Sequence, residues 1–360
     1  MRRHDASRRR RHDLRMPLFR RNRAPQAPSP EAIADFWRWW TKEGDRHCAH
    51  LVEGGNHPAL DSVLGPAVDR VHPGLAWEVG SDPEGGHVLV VSAAGDPTLR
   101  ATARRWLLAA PAPNGAWEYA DTRQPIPAAE TGRLQIAGVE VSFADVRTAW
   151  RVDADRLRVD VAVHHPAFGS FDEDLRLQVA FLALDNLLGE EAVELWVGEI
   201  TTVVGEPSGA TTLTPLGAAV QDLAREHSGP EPTWQLLEAT TSSGAPLIAM
   251  VRLPLTSVTA PNLDAHVRVE LPYPAEESGL PGEAALRGLR DLEDRITERL
   301  DADGRVVAHE TTGGRRTVHV YVDSTTDAAD RVGAVVADYP RGRTTVTLDP
   351  AWEAIAHLRG

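Results

Sequence analysis

The chain has 360 residues, a length that suits two domains, and 42% of them are hydrophobic, which is ordinary for a folded protein. Its formal net charge is −14, and it lacks the run of about eighteen apolar residues that a membrane span needs. Cys48 is the single cysteine, so the sequence excludes an intrachain disulfide and favours a reducing cytosol. Lys42 is the single lysine and follows a threonine, which excludes the Gly-Lys pair of a Walker A nucleotide loop.

Residues 1–28 form an arginine-rich tail. Residues 1–23 hold ten arginines and two acids, a balance of +8, so the remainder of the chain carries −22. The tail has no apolar period and no signal-peptide segment, and we predict that it is disordered, whether translation starts at Met1 or at Met16. We expect only weak, salt-sensitive contacts of this tail with polyanions, because the acidic remainder repels nucleic acid and anionic membranes.

Residues 29–204 predict an α+β domain in which helices pack on one sheet. Helices are expected after Ser29, over 59–71, after Asp96 and over 175–188. Strands are expected over 75–79, 87–91, 117–119, 146–152, 157–163 and 194–204, with a hairpin over 133–141.

The stretch over residues 157–188 is expected to be the core of this domain. Its strand alternates apolar with polar residues, and Pro166 ends the strand because proline cannot donate to a ladder. Ser170 and Glu173 have the spacing of a capping box for the helix that follows. That helix is apolar almost all round over residues 179–184, the pattern of a helix that is buried on most of its surface.

Residues 205–232 are rich in Gly, Pro, Ser and Thr around a short helix and predict a linker. Residues 233–360 predict a second domain, and we expect the domains on either side of the linker to fold alone. Strands over 233–241 and 246–253 precede a β-α-β-β-α-β order, which is that of a ferredoxin-like fold. The six elements of that order are expected over 263–271, 283–300, 305–311, 316–323, 325–337 and 343–348.

Short motifs in the second domain form a recognisable series. They are Trp234, Gly279-Leu280-Pro281, Leu292-Glu293-Asp294, Gly314-Arg315-Arg316 before His319-Val320-Tyr321-Val322, and Asp349-Pro350-Ala351-Trp352. In their order and spacing, residues 233 to about 355 resemble the bacterial domain-of-unknown-function 695 family. Residues 30–204 resemble the companion half of similar actinobacterial proteins. The family has no established activity, so the resemblance implies no catalytic residue.

His164 and His165 lie where a predicted strand ends and a helix begins, a position at which proteins often place functional side chains. Glu173 can orient one of them, but neither a G-x-S-x-G elbow nor a cysteine in a catalytic setting accompanies them. A packed turn is therefore the favoured interpretation. The alternative is a hydrolase-type enzyme that uses these histidines in an interdomain cleft.

His309 and His319 lie on the two arms of a predicted hairpin, and together with Tyr321 they are candidate binding residues. A two-residue turn at Gly313-Gly314 places the two histidines on opposite faces of the sheet, whereas a three-residue loop pairs them on one face. Both alternatives fit the sequence.

His47, Cys48 and His50 form the densest cluster of metal-ligand residue types. They lie in one local segment, whereas a structural zinc site takes four ligands from paired short spacings. The sequence therefore predicts neither a metal nor a cofactor.

The sequence favours a non-catalytic binding or regulatory protein, because it lacks a nucleotide loop, a metal cage and a nucleophile. Trp39, Trp77 and Trp117 are candidates to line a pocket or a partner groove, although core filling is the default role of tryptophan. We expect a cytoplasmic protein that engages another macromolecule, with a protein as the suspected partner.

Overall fold

The computed structural model describes residues 30–81, 85–227 and 232–359. The predicted tail, residues 1–28, lies outside these ranges, as do residues 228–231 of the predicted linker. The described chain is mixed α+β, as predicted. None of its helices combines the length and the apolar composition that crossing a bilayer requires.

The described ranges contain nine α-helices. They are α1 (Pro30–Trp39), α2 (Asp45–Glu53), α3 (His57–Val71), α4 (Arg100–Leu108), α5 (Glu173–Leu188), α6 (Glu190–Trp196), α7 (Leu213–His227), α8 (Glu283–Leu300) and α9 (Ala328–Ala337). Seven of these nine helices were predicted, and α2 and α6 were not. A π-helical turn, Trp40–Gly44, joins α1 to α2, and 3₁₀ helices cover Pro166–Ser170 and Glu353–Leu358.

The strands also agree with the predicted pattern except at one boundary. They are β1 (Ala76–Ser81), β2 (His87–Ser92), β3 (Trp117–Ala120), β4 (Arg133–Ile136), β5 (Val139–Ser142), β6 (Arg147–Asp153), β7 (Arg158–His164), β8 (Val197–Val203), β9 (Thr233–Thr240), β10 (Pro246–Leu253), β11 (Ala265–Pro272), β12 (Gly304–Thr312), β13 (Arg315–Val322) and β14 (Arg343–Leu348). Strand β8 begins at Val197 rather than at Glu194, because the preceding residues form α6.

The described residues form two compact units. One unit comprises residues 124–152 and 159–222, and the other comprises 30–123, 153–158 and 223–359 apart from the undescribed gaps. The predicted boundaries at 204 and 233 do not coincide with these units, since residues 30–123 group with the predicted second domain. Independent folding of 29–204 and 233–360 stays a prediction.

The prediction of one sheet within residues 29–204 is wrong. The described strands there form three separate sheets, β1-β2-β3, β4-β5 and β6-β7-β8. After β3 the chain passes Pro125 and Pro127, which cannot donate to a ladder, and β4 and β5 then pair only with each other. Crossovers through α4 and through α5 with α6 make β2 parallel to β3 and β7 parallel to β8.

Tryptophans fill the core of residues 30–120. Trp37, Trp40, Trp106 and Trp117 are each at most 5% exposed. Trp37 stacks on Trp106 with 4.6 Å between ring centroids, and Trp40 meets Trp117 edge-on at 4.9 Å. The indole N–H of Trp37 donates to the carbonyl of Trp106 at 2.8 Å, and that of Trp117 donates to the carbonyl of Asp45 at 3.0 Å. These two polar edges are therefore satisfied although the rings are buried.

The start of α5 differs from the predicted capping box. Asp172 is the N-cap, and its carboxylate accepts a hydrogen bond from the amide of Leu175 at 2.9 Å. Ser170 instead donates to the carbonyl of Ala167 at 2.8 Å within the preceding 3₁₀ helix. The helix begins later than the box requires because Asp172, which is as good a cap as serine, supplies the acceptor.

The remainder of α5 has the predicted burial. Val179, Leu182 and Leu184 are each at most 4% exposed, so apolar packing surrounds most of the helix. Phe181 is the departure, since 45% of its surface is exposed. This pair of neighbours, Leu182 inside and Phe181 outside, gives a direct measure of how much the helix contributes to the core.

Residues 233–348 form a six-stranded antiparallel sheet in the order β14-β11-β13-β12-β10-β9. Strands β11 to β14 with α8 and α9 follow the predicted β-α-β-β-α-β order, and β10 and β9 extend the sheet beyond β12. Helices α8 and α9 cover one face, where Val267, Val269, Val318 and Val320 are fully buried.

Arg105 joins α4 to this sheet within one unit. Its terminal nitrogens donate to Asp264 at 2.8 Å and to Asp323 at 2.6 Å, and only 10% of its side chain is exposed. Burial by itself would lower the pKa of Arg105, but the hydrogen bonds and charges of the two aspartates raise it. The three charges compensate one another in a site from which most water is excluded.

We expect Leu182→Ala to lower the free energy of unfolding by ~2–5 kcal/mol, the range for a large-to-small change in a packed core. Phe181→Ala is the matched control and should cost well under half as much, because Phe181 is 45% exposed. Urea unfolding of the full chain measures both values. Equal losses for the two variants would mean that α5 does not form the core of its unit.

We expect Arg105→Met to destabilise the unit that contains it by ~3–5 kcal/mol, since Asp264 and Asp323 would stay buried without their cation. Arg287→Met is the control: Arg287 pairs with Glu283 on the exposed side of α8 at 2.5 Å, and such a surface pair contributes less than ~1 kcal/mol. Chemical denaturation compares the two variants. Losses of the same size would contradict a structural role for Arg105.

Candidate functional site

The two faces of the six-stranded sheet differ in polarity because strand residues alternate between them. The apolar residues of β11 and β13 that pack under α8 and α9 are Ala265, Val267, Val269, Leu271, Val318, Val320 and Val322. Between them, His266 and Arg268 of β11 and His319 and Tyr321 of β13 project from the opposite face. The strand pairing sets His266 beside Tyr321 and Arg268 beside His319.

A hydrogen-bond chain runs across this polar face. Oε1 of Glu310 is 2.8 Å from Nε2 of His319 and 3.1 Å from Nε2 of His357. Nδ1 of His319 is 3.0 Å from Nε2 of His266. His266 and His319 are buried, whereas His357 is exposed. One carboxylate thus organises three imidazoles that come from three different parts of the chain.

The hydrogen bonds to Glu310 indicate which imidazole nitrogens carry a proton. The hydrogen bond from His319 lowers the pKa of Glu310, burial opposes this effect, and the bond from His357 adds to it. The ionised carboxylate only accepts, so Nε2 of His319 and of His357 each carry a proton. Nδ1 of His319 and Nε2 of His266 share the next hydrogen bond of the chain. Burial and then repulsion from the charge that His319 carries when protonated lower the pKa of His266 to about 4, so His266 is neutral at pH 7.

The C-terminal segment closes one side of this face. The hydroxyl of Tyr321 donates to Asp349 at 2.5 Å, and the ring of Tyr321 stacks between His266 at 5.0 Å and Trp352 at 4.4 Å. Burial and then the Asp349 carboxylate raise the pKa of Tyr321, so the phenol keeps its proton. Packing of Trp352 on Tyr321 therefore positions the following 3₁₀ helix, so that His357 lies at the edge of the polar face.

These side chains surround a pocket of about 470 Å³, a volume within the range of small-molecule sites. The lining residues are His266, Arg268, Glu310, Thr317, His319, Thr345, Thr347, Ala354 and His357. Arg268 also pairs with Glu270 at 2.9 Å. The pocket lies entirely within one unit of the chain.

The open question about the predicted hairpin is resolved by its register. Thr312 pairs with Arg315 across the two-residue turn Gly313-Gly314, so His309 and His319 lie on opposite faces. Of the predicted binding residues, His319 and Tyr321 therefore belong to the polar face, and His309 does not.

His309 belongs to a separate ion cluster under α8. Its Nδ1 is 3.1 Å from Glu293, which also pairs with Arg316 at 2.9 Å. Burial by itself would raise the pKa of Glu293, but the bonds and charges of His309 and Arg316 lower it. This cluster holds α8 to the sheet, and the binding role predicted for His309 stays a prediction.

The three tryptophans predicted to line a pocket lie around the aromatic core of residues 30–120. Trp117 is buried, and Trp39 and Trp77 are half-buried and pack against that core. The ring of Trp39 lies over Gly44, where an added Cβ would come within 3.0 Å of it. The structure does not bring them to the pocket of the six-stranded sheet, and their predicted binding role stays a prediction.

His164 and His165 are buried at the end of β7, and their rings bond to the main chain. Nδ1 of His164 is 3.1 Å from the carbonyl of Val203. His165 accepts from the amide of Ala167 at 3.1 Å, and its Nε2 lies 3.2 Å from the carbonyl of Ser142. These bonds are those of packed turn residues. Glu173, the predicted orienting group, is exposed at the start of α5. The catalytic alternative stays a hypothesis.

Metal-ligand residue types are present but are not arranged around a common point. Within the described ranges, no group of three or more His, Cys, Asp and Glu side chains is placed to hold a metal ion. The imidazoles near Glu310 are instead bonded to one another or to its carboxylate. Cys48 is buried, and burial followed by the charge of Asp45 raises its pKa to about 11, so it keeps its proton at pH 7.

Sequence reasoning missed His266, Arg268, Glu310 and His357 as site residues. His266 and Arg268 carried a signal, since both occupy the polar phase of a strand whose other phase is valine. Their position beside His319 follows only from the β11–β13 pairing, which the predicted ferredoxin-like order implies. The sequence did not indicate the position of His357, because the residues after β14 show no hydrophobic periodicity from which their structure could be predicted.

The comparisons with known proteins agree with one part of the sequence analysis. Residues 234–356 match the model described as a family of unknown function, DUF695. The match confirms the resemblance noted for the C-terminal third, and it contains every residue that lines the pocket except His357. No match was found among curated proteins. None was found among solved structures. The resemblance of residues 30–204 to a companion half stays a prediction.

We expect the stability of the protein to fall as the pH drops from about 6.5 towards about 4, partly because of His266. Its pKa is lowered on folding, so in this range the unfolded chain binds a proton that the folded chain does not, and acid favours unfolding. Above about 6.5 this contribution is fully present. His266→Gln should therefore lose less stability between about pH 7 and about pH 5 than the unchanged chain. Urea unfolding at both pH values measures this loss.

His357→Gln is the matched control for this measurement, since His357 belongs to the same hydrogen-bond chain but is exposed. At about pH 7 it should lower the free energy of unfolding by less than His266→Gln does, because an exposed ring contributes less packing than a buried one. A pH dependence that is the same in His266→Gln and in the unchanged chain would show that His266 is not held neutral by the fold.

Proposed function

We propose that this chain is a binding protein whose C-terminal third holds an oxyanion, a carboxylate or a phosphate, in the pocket of the six-stranded sheet. The observation that carries the proposal is the set of donors in the lining that the internal hydrogen-bond chain does not use. These are the guanidinium of Arg268 and the hydroxyls of three threonines, whereas the imidazoles are bonded to the single carboxylate, Glu310, or to one another. A cation with three hydroxyls beside it suits a ligand that accepts hydrogen bonds.

Arg268 is the residue best suited to bind the anion. It is exposed in the pocket and lies beside Thr345 of the neighbouring strand. Its ion pair with Glu270 uses only part of its capacity, since a guanidinium has five N–H donors. Thr345 and Thr347 alternate along β14 on the same face and add hydroxyl donors at the rim. Arginine with two hydroxyls can surround an oxyanion from several sides.

The oxyanion can be a free small molecule or a group on a partner protein, and the pocket chemistry is shared by both sources. We retain the protein partner expected from the sequence as the second source. An acidic or phosphorylated side chain of the partner would bind the same hydrogen-bond donors in the pocket. The rest of the partner would lie on the exposed rim formed by β14 and the C-terminal 3₁₀ helix.

Acid–base catalysis is a second candidate, and the pair formed by Glu310 and His357 favours it. The carboxylate holds Nε2–H of an exposed imidazole, which leaves Nδ1 of His357 free to accept a proton in the pocket. The hydrolase alternative considered for His164 and His165 would then use different residues. The pocket offers threonine hydroxyls but no serine or cysteine among its lining residues, so binding is the simpler function.

We further propose that the β-α-β-β-α-β part of residues 263–348 is a ferredoxin-like sandwich. The antiparallel order β14-β11-β13-β12, in which the fourth strand lies beside the first and the third beside the second, supports it. The cytosol remains the proposed compartment, and the single buried cysteine supports a reducing environment.

We expect inorganic phosphate or a dicarboxylate to bind the full chain in isothermal titration calorimetry, and Arg268→Gln to weaken binding by ~10-fold or more. A hydrogen bond to a charged group contributes ~1.5–3 kcal/mol, and about 1.4 kcal/mol is tenfold in affinity. Arg315→Gln is the matched control, because Arg315 also pairs with Glu270, at 3.5 Å, but does not line the pocket.

An acidic peptide and a phosphorylated peptide, titrated in the same way, separate a partner protein from a free anion as the source. Turnover of para-nitrophenyl phosphate that is lost in Glu310→Gln would favour the acid–base candidate instead. Absence of binding by every anion and peptide, or equal affinity of the Arg268 and Arg315 variants, would contradict the proposed function.

A further inference from the structure

Strand β14 is an edge of the six-stranded sheet, and Arg343 at its start is the one feature of the strand that usually protects an edge. Its one neighbour in the sheet of the described residues is β11. All six residues, Arg343–Leu348, are exposed, including Val346 at 51% and Leu348 at 46%. The strand contains no proline, no lysine and no inward-pointing charge, and its pairing with β11 has no bulge. Such an edge can pair with another strand.

The backbone groups that would make this pairing can be identified. The amide of Asp349 donates to the carbonyl of Asp264 at 2.7 Å, which continues the β14–β11 register by one pair. Because backbone groups alternate in direction along an antiparallel strand, the odd-numbered residues of β14 face β11. The amides and carbonyls of Thr344, Val346 and Leu348 therefore face outward.

We propose that β14 pairs with β14 of a second copy of this chain, antiparallel and about a two-fold axis at Val346, so that the two six-stranded sheets become continuous. In this register Val346 lies opposite Val346 of the second copy, and Thr344 lies opposite Leu348. The outward-facing residues thus meet one another, and each of these pairs can exchange two hydrogen bonds. This arrangement is isologous and closed, since both copies use the same surface.

The side chains favour this register over its neighbour. On the face of α8 and α9, Val346 and Leu348 with Thr344 form an apolar cross-strand group, and on the pocket face Thr345 lies opposite Thr347. Arg343 then lies opposite Asp349 of the second copy, which pairs opposite charges. A two-fold axis at Thr345 would bring Arg343 opposite Thr347. It would also leave the outward groups of Leu348 opposite Gly342, whose amide already donates to Tyr339 at 2.9 Å.

The dimer would place two pockets beside each other. Thr345 and Thr347 line the pocket of one copy, and the same residues of the second copy would continue its rim. An interface of one strand pair buries less area than a typical obligate dimer, so we expect reversible, concentration-dependent association. This inference does not depend on the identity of the ligand or on the proposed function.

Cysteine cross-linking of the full chain tests both the dimer and its register. Val346→Cys should form an intermolecular disulfide under mild oxidation, because opposite Cα atoms in such a pair are about 5.5 Å apart. Thr344→Cys is the matched control and should not cross-link, since it faces Leu348 of the second copy. Native Cys48 is buried and should contribute no background. Cross-linking of Thr345→Cys in place of Val346→Cys would overturn the register.

Sedimentation velocity tests association without a cross-link. The unchanged chain should dimerise with rising concentration, and Val346→Lys should reduce this association at least tenfold, because lysine at an edge opposes strand pairing. Leu236→Lys on the opposite edge strand, β9, should leave it unchanged, since Leu236 is 53% exposed there. A monomer at every concentration would overturn the proposal. So would open-ended growth that Leu236→Lys abolishes, which would indicate pairing of β14 with β9.

Discussion

The two-residue alternation of the central strands β11 and β13 is the constraint on which both the sheet and its pocket depend. Every second side chain must face α8 and α9, and those positions hold Ala265 and a series of valines. The intervening positions are then free to carry His266, Arg268, His319 and Tyr321. A shift of one residue would exchange the two sets and place imidazoles under the helices. The apolar core on one face therefore determines which polar groups meet on the other.

Compensation of buried polar groups explains how the polar face is completed. Glu310 can remain ionised in a half-buried position because two imidazoles donate to it, and His266 can be buried because it is neutral. Tyr321 satisfies its hydroxyl through Asp349, which also caps the C-terminal 3₁₀ helix by accepting from two amides. The end of the chain is thus held by the same bonds that shape the pocket. Arg105 follows the same rule, since its two aspartates compensate a cation at the junction of α4 with the sheet.

Local periodicity was sufficient to predict most elements, because amphipathic helices and alternating strands carry their burial pattern in the sequence. The β-α-β-β-α-β order even implied which strands would be neighbours. What it could not predict was contact between distant segments without a repeating pattern. Arg105 pairs with residues more than 150 positions away, and nothing near it in the sequence indicates this. The sequence likewise could not predict that residues 30–123 group with the C-terminal sheet. The position of His357 is another contact between distant segments that no repeating pattern indicates. The single-sheet prediction failed because strand patterns show that strands exist and not which strands pair.

Strand β14 connects the two surfaces for which roles are proposed. Its side chains alternate, so Thr345 and Thr347 face the pocket, while Val346 and the outward backbone groups belong to the free edge. An anion bound to Arg268 and to these threonines would contact both β11 and β14. By linkage, a ligand that favours the pairing geometry must bind more tightly to the dimer, and dimerisation must favour the ligand to the same degree. Because Arg268 lies beside β14 and Val346 points away from the pocket, substitutions at these two positions can separate direct effects on either surface from the coupling between them.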